Sequence, residues 1–336
     1  MRSPKPRMRS CLTAAALLAA ACGETSGPSS PEPQLLFVSP VFSSDSFAFS
    51  TTDILFASLD GTTVVNLTRH PAADAGPQWS PDGMRIAFVR VDTLYVMNWD
   101  GTGPSALVTE VESWASPVWS PSGSDIAMMR RGDIWVVDAS GTGLRNVSNS
   151  PGWGDTQPAW SPDGGSIAFL CEGDRLCVVQ ADGTGLDTLT TDVLSPAPAW
   201  SPDGREIAYG CPTEMGWGIC VIDVAGANRV ELTRSADWPG PPRWSPDGTH
   251  IAYSSGGDIH VIGQERAGPV NLTDRFDLPA GDPQWSPNGR SLAYAAQDWG
   301  VSEIYVQSAT DSLGTTRQLV TPIQGWSPRW RPGRSR

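Results

Sequence analysis

The chain has 336 residues and a formal net charge of −13 at pH 7, with 36 acidic against 23 basic residues. Residues 1–22 hold four of the basic residues and none of the acidic ones, so the remainder carries 19 minus 36, a net charge of −17. Because a domain of this charge repels phosphate backbones, we expect no nucleic acid partner.

The amino terminus is typical of an export signal. Basic residues up to Arg9 precede an apolar stretch, Leu12–Ala21, which is too short to span a bilayer. The segment that ends at Cys22 resembles a bacterial lipoprotein cleavage site, at which the cysteine becomes the lipidated first residue. Residues 1–22 are therefore predicted to be a lipoprotein-type signal peptide, with ordinary cleavage after Ala21 as the alternative.

Residues 23–34 are rich in Gly, Ser and Pro and predict a flexible tether. The residue directly after the cysteine is Gly23 rather than an aspartate, a pattern that resembles the one by which lipoproteins are sorted to the outer membrane. We expect an exported outer-membrane lipoprotein that faces the periplasm or the cell surface and touches the membrane through its lipid anchor only.

A five-residue motif, W-S-P-D-G, recurs along the rest of the chain. Successive motif tryptophans are 40, 41, 40, 44, 41 and 45 residues apart, a period typical of propeller blades. The motif or a near copy begins at Trp79, Trp119, Trp160, Trp200, Trp244, Trp285 and Trp330.

Each repeat predicts four antiparallel strands. The S-P-D-G segment specifies a tight turn between the tryptophan strand and an apolar second strand such as Ile86–Phe88. A third strand such as Leu94–Met97 follows, and after a turn that usually contains glycine a short strand ends in Leu-Thr or its equivalent. Units of this size and composition are propeller blades.

The two ends of the repeat region complement each other. Phe47–Phe49, Ile54–Phe56 and Asn66–Thr68 match second, third and fourth strands without a first, and Trp330 begins a first strand with nothing after it. We therefore predict an all-β, seven-bladed propeller over residues 35–333, closed by the C-terminal strand, with 334–336 as a tail. Alternatively Leu35–Ser39 takes the closing position and leaves Trp330 outside the ring, and six or eight blades are the other possible counts.

The run W-S-P-D-G-x-x-I-A-F, followed by D-I-x-V-x-D-x-x-G, resembles the WD-like propeller repeat of the TolB family. The resemblance covers about residues 40–333. It implies the propeller fold and a place in the bacterial envelope, and it implies no particular reaction, because one fold hosts many functions.

Four cysteines lie in the predicted propeller. Cys171 and Cys177 flank the turn between the second and third strands of one repeat, and Cys211 and Cys220 occupy the aligned positions of the next. In an exported protein this arrangement predicts two cross-strand disulfides, with a metal site as the alternative.

No catalytic motif stands out in the sequence. His70, His250 and His260 are scattered through the repeats, and His260 takes a third-strand position that other repeats fill with an aromatic residue or a cysteine. Neither a G-x-S-x-G nor an H-E-x-x-H motif is present. We predict a protein without enzymatic activity, metal or cofactor, in which the motif aspartates serve the turns.

Tryptophans outside the repeat pattern are the candidate binding residues. All of them are predicted to lie in the loops that join strands two and three or consecutive blades, and these loops emerge on one face of a propeller. Indole rings stack on sugars or pack on peptide side chains, and carboxylates bind hydroxyls or cations. The candidate face comprises Trp114, Trp153, Asp155, Trp217, Asp237, Trp238, Asp282, Trp299 and Trp326, although the same tryptophans could instead fill gaps between blades.

The sequence therefore predicts a monomeric envelope binding or scaffold protein that presents this face to a protein or glycan. One alternative is a polysaccharide-active enzyme, because the uronate lyases, which include oligogalacturonate lyase, have similar repeats and use a metal held by histidines. A purely structural domain in a larger envelope assembly is the third possibility.

Overall fold

The computed structural model describes residues 34–42, 49–114, 116–150, 154–191, 193–263, 268–274, 278–298, 301–309, 318–321 and 324–333. The predicted signal peptide with Cys22, the tether up to residue 33, Trp153, Trp299 and the tail lie outside the described residues and stay predictions. Across the described ranges, no helix has the length and apolar character to cross a membrane.

The described residues form seven four-stranded antiparallel sheets, each of which is one blade. Blade 1 contains β28, β1, β2 and β3, and blades 2 to 7 take β4 to β27 in groups of four, from the channel outward in chain order. The innermost strands are β28 (Trp326–Trp330), β4 (Asp74–Trp79), β8 (Val118–Trp119), β12 (Thr156–Trp160), β16 (Leu194–Trp200), β20 (Arg243–Trp244) and β24 (Ala280–Trp285).

The remaining strands follow in the order that the repeats predict. The second strands are β1 (Gln34–Phe42), β5 (Arg85–Arg90), β9 (Asp125–Arg130), β13 (Ser166–Cys171), β17 (Glu206–Thr213), β21 (His250–Ser255) and β25 (Ser291–Asp298). The third strands are β2 (Phe49–Ser58), β6 (Thr93–Asn98), β10 (Asp133–Asp138), β14 (Arg175–Gln180), β18 (Gly216–Asp223), β22 (Asp258–Gly263) and β26 (Val301–Ser308). The outermost strands are β3 (Val64–Asn66), β7 (Ser105–Val108), β11 (Arg145–Asn146), β15 (Asp187–Thr191), β19 (Val230–Glu231), β23 (Val270–Asn271) and β27 (Gln318–Thr321).

The C-terminal strand closes blade 1, and the seven-bladed fold is confirmed. Strand β28 pairs with β1, with Leu35 opposite Trp330. The assignment of the second strand to Phe47–Phe49 was wrong, because β1 takes that place and Phe49 begins the third strand. The segment Leu35–Ser39 was the alternative candidate for the closing first strand of blade 1. It forms the second strand instead and pairs with the strand that contains Trp330.

Packing explains why β1 takes the second position in blade 1. Its residues Leu35, Leu36 and Phe37 are fully buried. Leu35 and Phe37 pack in a cluster that includes Ala293 of blade 7, whereas Leu36 packs in a cluster with Trp79 of blade 2. A strand that is apolar on both faces can fill both gaps between its blade and its neighbours.

The motif tryptophans join each blade to the preceding one. Each indole N–H donates a hydrogen bond to the carbonyl of the residue that precedes the tryptophan of the neighbouring blade. The pairs, with nitrogen–oxygen distances, are Trp79–Arg329 (3.3 Å), Trp119–Gln78 (3.2 Å), Trp160–Val118 (3.1 Å), Trp200–Ala159 (3.0 Å), Trp244–Ala199 (3.1 Å), Trp285–Arg243 (2.9 Å) and Trp330–Gln284 (2.9 Å). The seven bonds form a closed ring.

The rest of the motif builds the turn that follows. In blade 2, Ser80 Oγ donates to Asp82 Oδ1 at 2.5 Å, and the backbone N–H of Met84 donates to the same oxygen at 3.0 Å. Gly83 adopts a φ of +66°, which favours glycine. The motif aspartate is thus occupied within its turn, as the sequence predicts.

Both predicted disulfides are present. Cys171–Cys177 links the second and third strands of blade 4 with Cα atoms 5.9 Å apart, and Cys211–Cys220 does the same in blade 5 at 5.8 Å. All four cysteines are buried. The aligned positions in the sequence therefore correspond to aligned positions in space.

Replacing Trp160 by Phe should destabilise the fold. The ring stays apolar, but the carbonyl of Val118 loses its donor in a site where Trp160 is only 9% exposed. Leaving a buried carbonyl unpaired costs about 1 to 3 kcal/mol of stability. Urea unfolding of the variant and the wild type measures this loss. Trp114→Phe is the control, because Trp114 is 65% exposed and should leave the unfolding midpoint unchanged. Equal midpoints for both variants would contradict the role of the ring.

Removing either disulfide should also lower the thermal midpoint. The bridges span 6 and 9 residues in sequence, and closing loops of this length contributes about 2 to 3 kcal/mol each. The paired Cys171→Ser/Cys177→Ser variant, compared with the wild type in oxidising buffer, tests this. In reductant the two proteins should differ much less. Free thiols at these positions in the denatured, unreduced protein would refute the pairing.

Candidate recognition face and central channel

One side of the propeller carries the loops between second and third strands and between consecutive blades, and we call this side the loop face. Three candidate tryptophans are exposed here: Trp114 to 65%, Trp238 to 49% and Trp326 to 37%. Trp114 and Trp238 lie in loops between blades, whereas Trp326 is the first residue of β28 rather than a loop residue. The loop face thus presents large apolar surface that the blades leave uncovered.

Trp217 and Trp238 form an aromatic pair on the loop face. Their ring centroids are 4.9 Å apart and the planes are tilted by 55°. Trp217 is half-buried in β18, and its backbone exchanges hydrogen bonds with Ser235 at 2.8 and 2.7 Å, which holds the loop that carries Trp238. Asp237, next to Trp238 in the chain, is exposed. The structure therefore brings the rings of Trp217 and Trp238 together on the loop face.

Asp155 is not part of the exposed face, and this prediction was wrong. Its residue is 1% exposed, and Ser150 Oγ donates to its carboxylate at 2.6 Å. The equivalent Asp74 of blade 2 forms an ion pair with Arg90 at 2.7 Å. In blade 4, Cys171 stands where the arginine would be and is held in a disulfide. Asp155 is thus a buried carboxylate without that cation.

Burial raises the pKa of the Asp155 carboxyl, and the nearby carboxylate of Asp133 adds to the effect. Hydrogen bonds from Ser148 and Ser150 oppose it without cancelling it. The charged form is therefore disfavoured in the folded protein.

Asp282 lies in the innermost strand β24, not in a loop, so its placement on the rim was also wrong. In the innermost strands, the residues before each motif tryptophan alternate strictly between buried and half-buried. The proline two positions before it is buried in all seven blades, whereas the residues one and three positions before it are half-buried. These last two positions face the central channel, and Asp282 occupies one of them.

The central channel encloses a cavity of about 540 Å³. All seven blades contribute one residue from the position before the motif tryptophan. These residues are Gln78, Val118, Ala159, Ala199, Arg243, Gln284 and Arg329, and Trp114 also lines the cavity. The channel is therefore connected to the loop face through Trp114.

Two arginines and one aspartate cluster on one side of the channel. Arg329 Nη1 lies 3.0 Å from Asp282 Oδ2, and Arg243 Nη2 lies 3.8 Å from Asp282 Oδ1. Burial disfavours the charged form of Asp282, but Arg329 and Arg243 outweigh it and lower the pKa of Asp282. Burial also lowers the pKa of Arg243, against the opposing charge of Asp282. The cluster carries one net positive charge.

Sequence analysis missed Arg243 and Arg329 as candidate residues. The signal was available, because the position before each motif tryptophan alternates with a buried proline. Without a closed ring, however, nothing distinguishes a channel-facing position from one that faces solvent.

The three histidines do not converge. His70 accepts a hydrogen bond from the backbone of Ala72, and His250 is exposed beside Thr249. His260 stacks on Tyr253 with centroids 5.3 Å apart, in the position that Tyr95 takes against Phe88. Among the described residues, no three His, Cys, Asp or Glu side chains are grouped as metal ligands would be.

Comparison with known proteins identifies the fold. No protein-family model and no curated protein matches the sequence. TolB from Acinetobacter baumannii is 18% identical with a TM-score of 0.56, over 83% of this chain and 79% of TolB. Oligogalacturonate lyase from Vibrio parahaemolyticus is 14% identical with a TM-score of 0.65, over 78% and 84% of the two chains.

A puromycin-hydrolyzing peptidase from Mycobacterium tuberculosis is 15% identical with a TM-score of 0.65, over 86% of this chain. This chain covers only 53% of the peptidase. These similarities establish a TolB-like β-propeller fold. Because the structural neighbours include both named enzymes and TolB, the fold alone assigns no activity.

Replacing Asp155 by Asn should raise the thermal midpoint at pH 7 by a few degrees, because the amide carries no charge to desolvate. Because the pKa of Asp155 is raised by folding, the wild type loses stability as the pH rises through the pKa that Asp155 has in the folded protein. The difference between the two proteins should therefore shrink as the pH falls towards 3.8, the ordinary carboxyl value.

Asp74→Asn is the matched control and should behave in the opposite way, because it leaves Arg90 without its carboxylate. Breaking a buried ion pair costs about 3 to 5 kcal/mol. A lower midpoint for Asp155→Asn than for the wild type at pH 7 would contradict the analysis.

Proposed function

We propose that the protein is an exported, lipid-tethered propeller that captures a protein or glycan partner of the bacterial envelope on its loop face. The observation that carries the proposal is the exposure of Trp114, Trp238 and Trp326 on one side of the disc. Exposed indoles cost solvation free energy unless a ligand covers them, and they are the side chains most often found at the centre of binding sites.

The aromatic pair is the best-formed part of this surface. Trp217 supplies a half-buried base and Trp238 an exposed ring tilted by 55° against it, and the exposed Asp237 precedes Trp238 in the chain. Such a combination suits a flat sugar face or an aliphatic peptide side chain, with the carboxylate available to accept hydrogen bonds. Met215, which is 66% exposed and lies in the same blade as Trp217, adds an adaptable apolar contact.

Export is supported by the two disulfides, which persist in oxidising compartments. The amino-terminal features support lipidation at Cys22 and sorting to the outer membrane as parts of the same proposal. A tether would then hold the propeller near the membrane.

The alternative, an enzyme acting on polysaccharide, has the fold similarity to oligogalacturonate lyase in its favour. In this chain His70 lies between blades 1 and 2, whereas His250 and His260 lie in blade 6. Purified protein should therefore neither retain a stoichiometric metal nor cleave uronate polymers. Detection of both would replace the binding proposal.

Photo-crosslinking in the native envelope tests the recognition face. A photoreactive residue at position 238 should give adducts with one dominant partner, and the same residue at position 99 should not, because Trp99 lies on the opposite side. Trp238→Ala and Trp114→Ala should lower capture of that partner by about tenfold, the effect of losing a tryptophan contact. Their thermal midpoints should stay close to that of the wild type.

Trp99→Ala is the matched control, since Trp99 is 36% exposed but lies in the turn after the third strand of blade 2. It should keep full capture. Unfolding of Trp114→Ala and Trp238→Ala would show that these tryptophans serve packing rather than recognition. Identical adducts at positions 238 and 99 would also contradict the proposal.

A further inference from the structure

The wall of the central channel is chemically divided. Arg243, Gln284, Arg329 and Gln78 occupy the position before the motif tryptophan on blades 6, 7, 1 and 2. On blades 3, 4 and 5 the same position holds Val118, Ala159 and Ala199. One half of the cavity is therefore cationic and rich in amides. The other half, which we call the apolar half, is apolar at this position, although Ser116 and Gln157 also line it.

The cationic half has unused hydrogen-bonding capacity. The Asp282 carboxylate accepts hydrogen bonds from Arg329 Nη1 at 3.0 Å and from Gln284 Nε2 at 2.9 Å. Within the described part of the chain, the guanidinium of Arg243 donates a single hydrogen bond, from Nη1 to the Pro242 carbonyl at 3.4 Å. Its side chain is 27% exposed, although it lies inside the ring of blades. A guanidinium carries five donors, so Arg243 can still bind a carboxylate in bidentate fashion.

Charge within the channel opposes that of the molecule. Two guanidinium groups share one carboxylate in a protein whose net charge is −13. Partial burial strengthens attraction between opposite charges compared with that at an open surface.

The apolar half of the channel determines which chemical group the rest of the ligand carries. The cavity volume of about 540 Å³ lies within the range of small-molecule sites. Pro158, Pro198 and Ala197 extend the apolar wall, and the indole of Trp114 lies where the channel meets the loop face. An apolar group placed against this wall would be removed from water while a polar end reaches Arg243.

We propose that the central channel binds a carboxylate carried on a compact apolar body, with the carboxylate on Arg243 and the body against Val118, Ala159 and Ala199. Both a small organic acid and the free C-terminus of an apolar peptide have this chemistry. The site lies inside the ring, so it goes beyond partner capture by the loop face.

Calorimetric titration of the purified chain with paired probes tests the proposal. 3-Phenylpropionate should bind, whereas the neutral 3-phenylpropanamide and the small anion acetate should bind much more weakly. Acetyl-Gly-Phe and its C-terminal amide form the peptide pair. Tighter binding of the small acid identifies an organic acid as the ligand, and tighter binding of the peptide acid identifies a chain terminus.

Three variants locate the binding to the channel. Arg243→Gln should weaken binding of the carboxylate probes by about tenfold or more, because a charge-assisted bidentate contact is lost. Arg205→Gln removes the same charge from a side chain that is 85% exposed, and it should change nothing. Ala199→Leu keeps the charges but fills the apolar half, so it should also abolish binding and serves if Arg243→Gln does not fold.

Equal affinity of acid and amide, unchanged affinity in Arg243→Gln or Ala199→Leu, or no binding of any probe at millimolar concentration would overturn the proposal. Trp238→Ala should bind the probes as the wild type does. Failure of the channel site and failure of partner capture are therefore separate results.

Discussion

The structure depends on the ring of hydrogen bonds in which each motif tryptophan reaches the innermost strand of the preceding blade. The donor is a buried or half-buried indole, and the acceptor is a backbone carbonyl at the channel wall. Burying an indole N–H or a carbonyl without a partner is costly, so each blade needs its neighbour. Trp330 and Trp79 complete the ring through the two chain ends.

Because the acceptor is a backbone atom, the side chain of the accepting residue is free to vary. The same structural position therefore holds Val118, Ala159 or Arg243 without any change in how the blades join. A propeller can in this way keep its closure constant while it builds a channel with different chemistry on its two sides. The loop face varies for a similar reason, since its tryptophans make none of the ring bonds.

Some predictions from the sequence succeeded because they rest on local chemistry. The turns, the strand order within a repeat and the two disulfides follow from residues close in sequence and from alignment of one repeat with the next. The second strand of blade 1 was misassigned for the same reason. Phe47–Phe49 matches the local pattern, but Leu35, Leu36 and Phe37 bury apolar surface on both sides, against blades 7 and 2.

Asp155 and Asp282 show where local patterns end. Both are acidic residues just before a motif tryptophan, yet one is buried beside Ser150 and the other lies between two arginines in the channel. Sequence alone determined the repeat and its turns, because strand alternation and turn geometry act over a few residues. It predicted seven blades and two disulfides with alternatives left open, and the structure confirms both. Only the tertiary structure decided which residues face the channel and which tryptophans stay exposed. Ring closure brings Arg243 and Arg329, on the two blades that flank blade 7, within reach of one carboxylate.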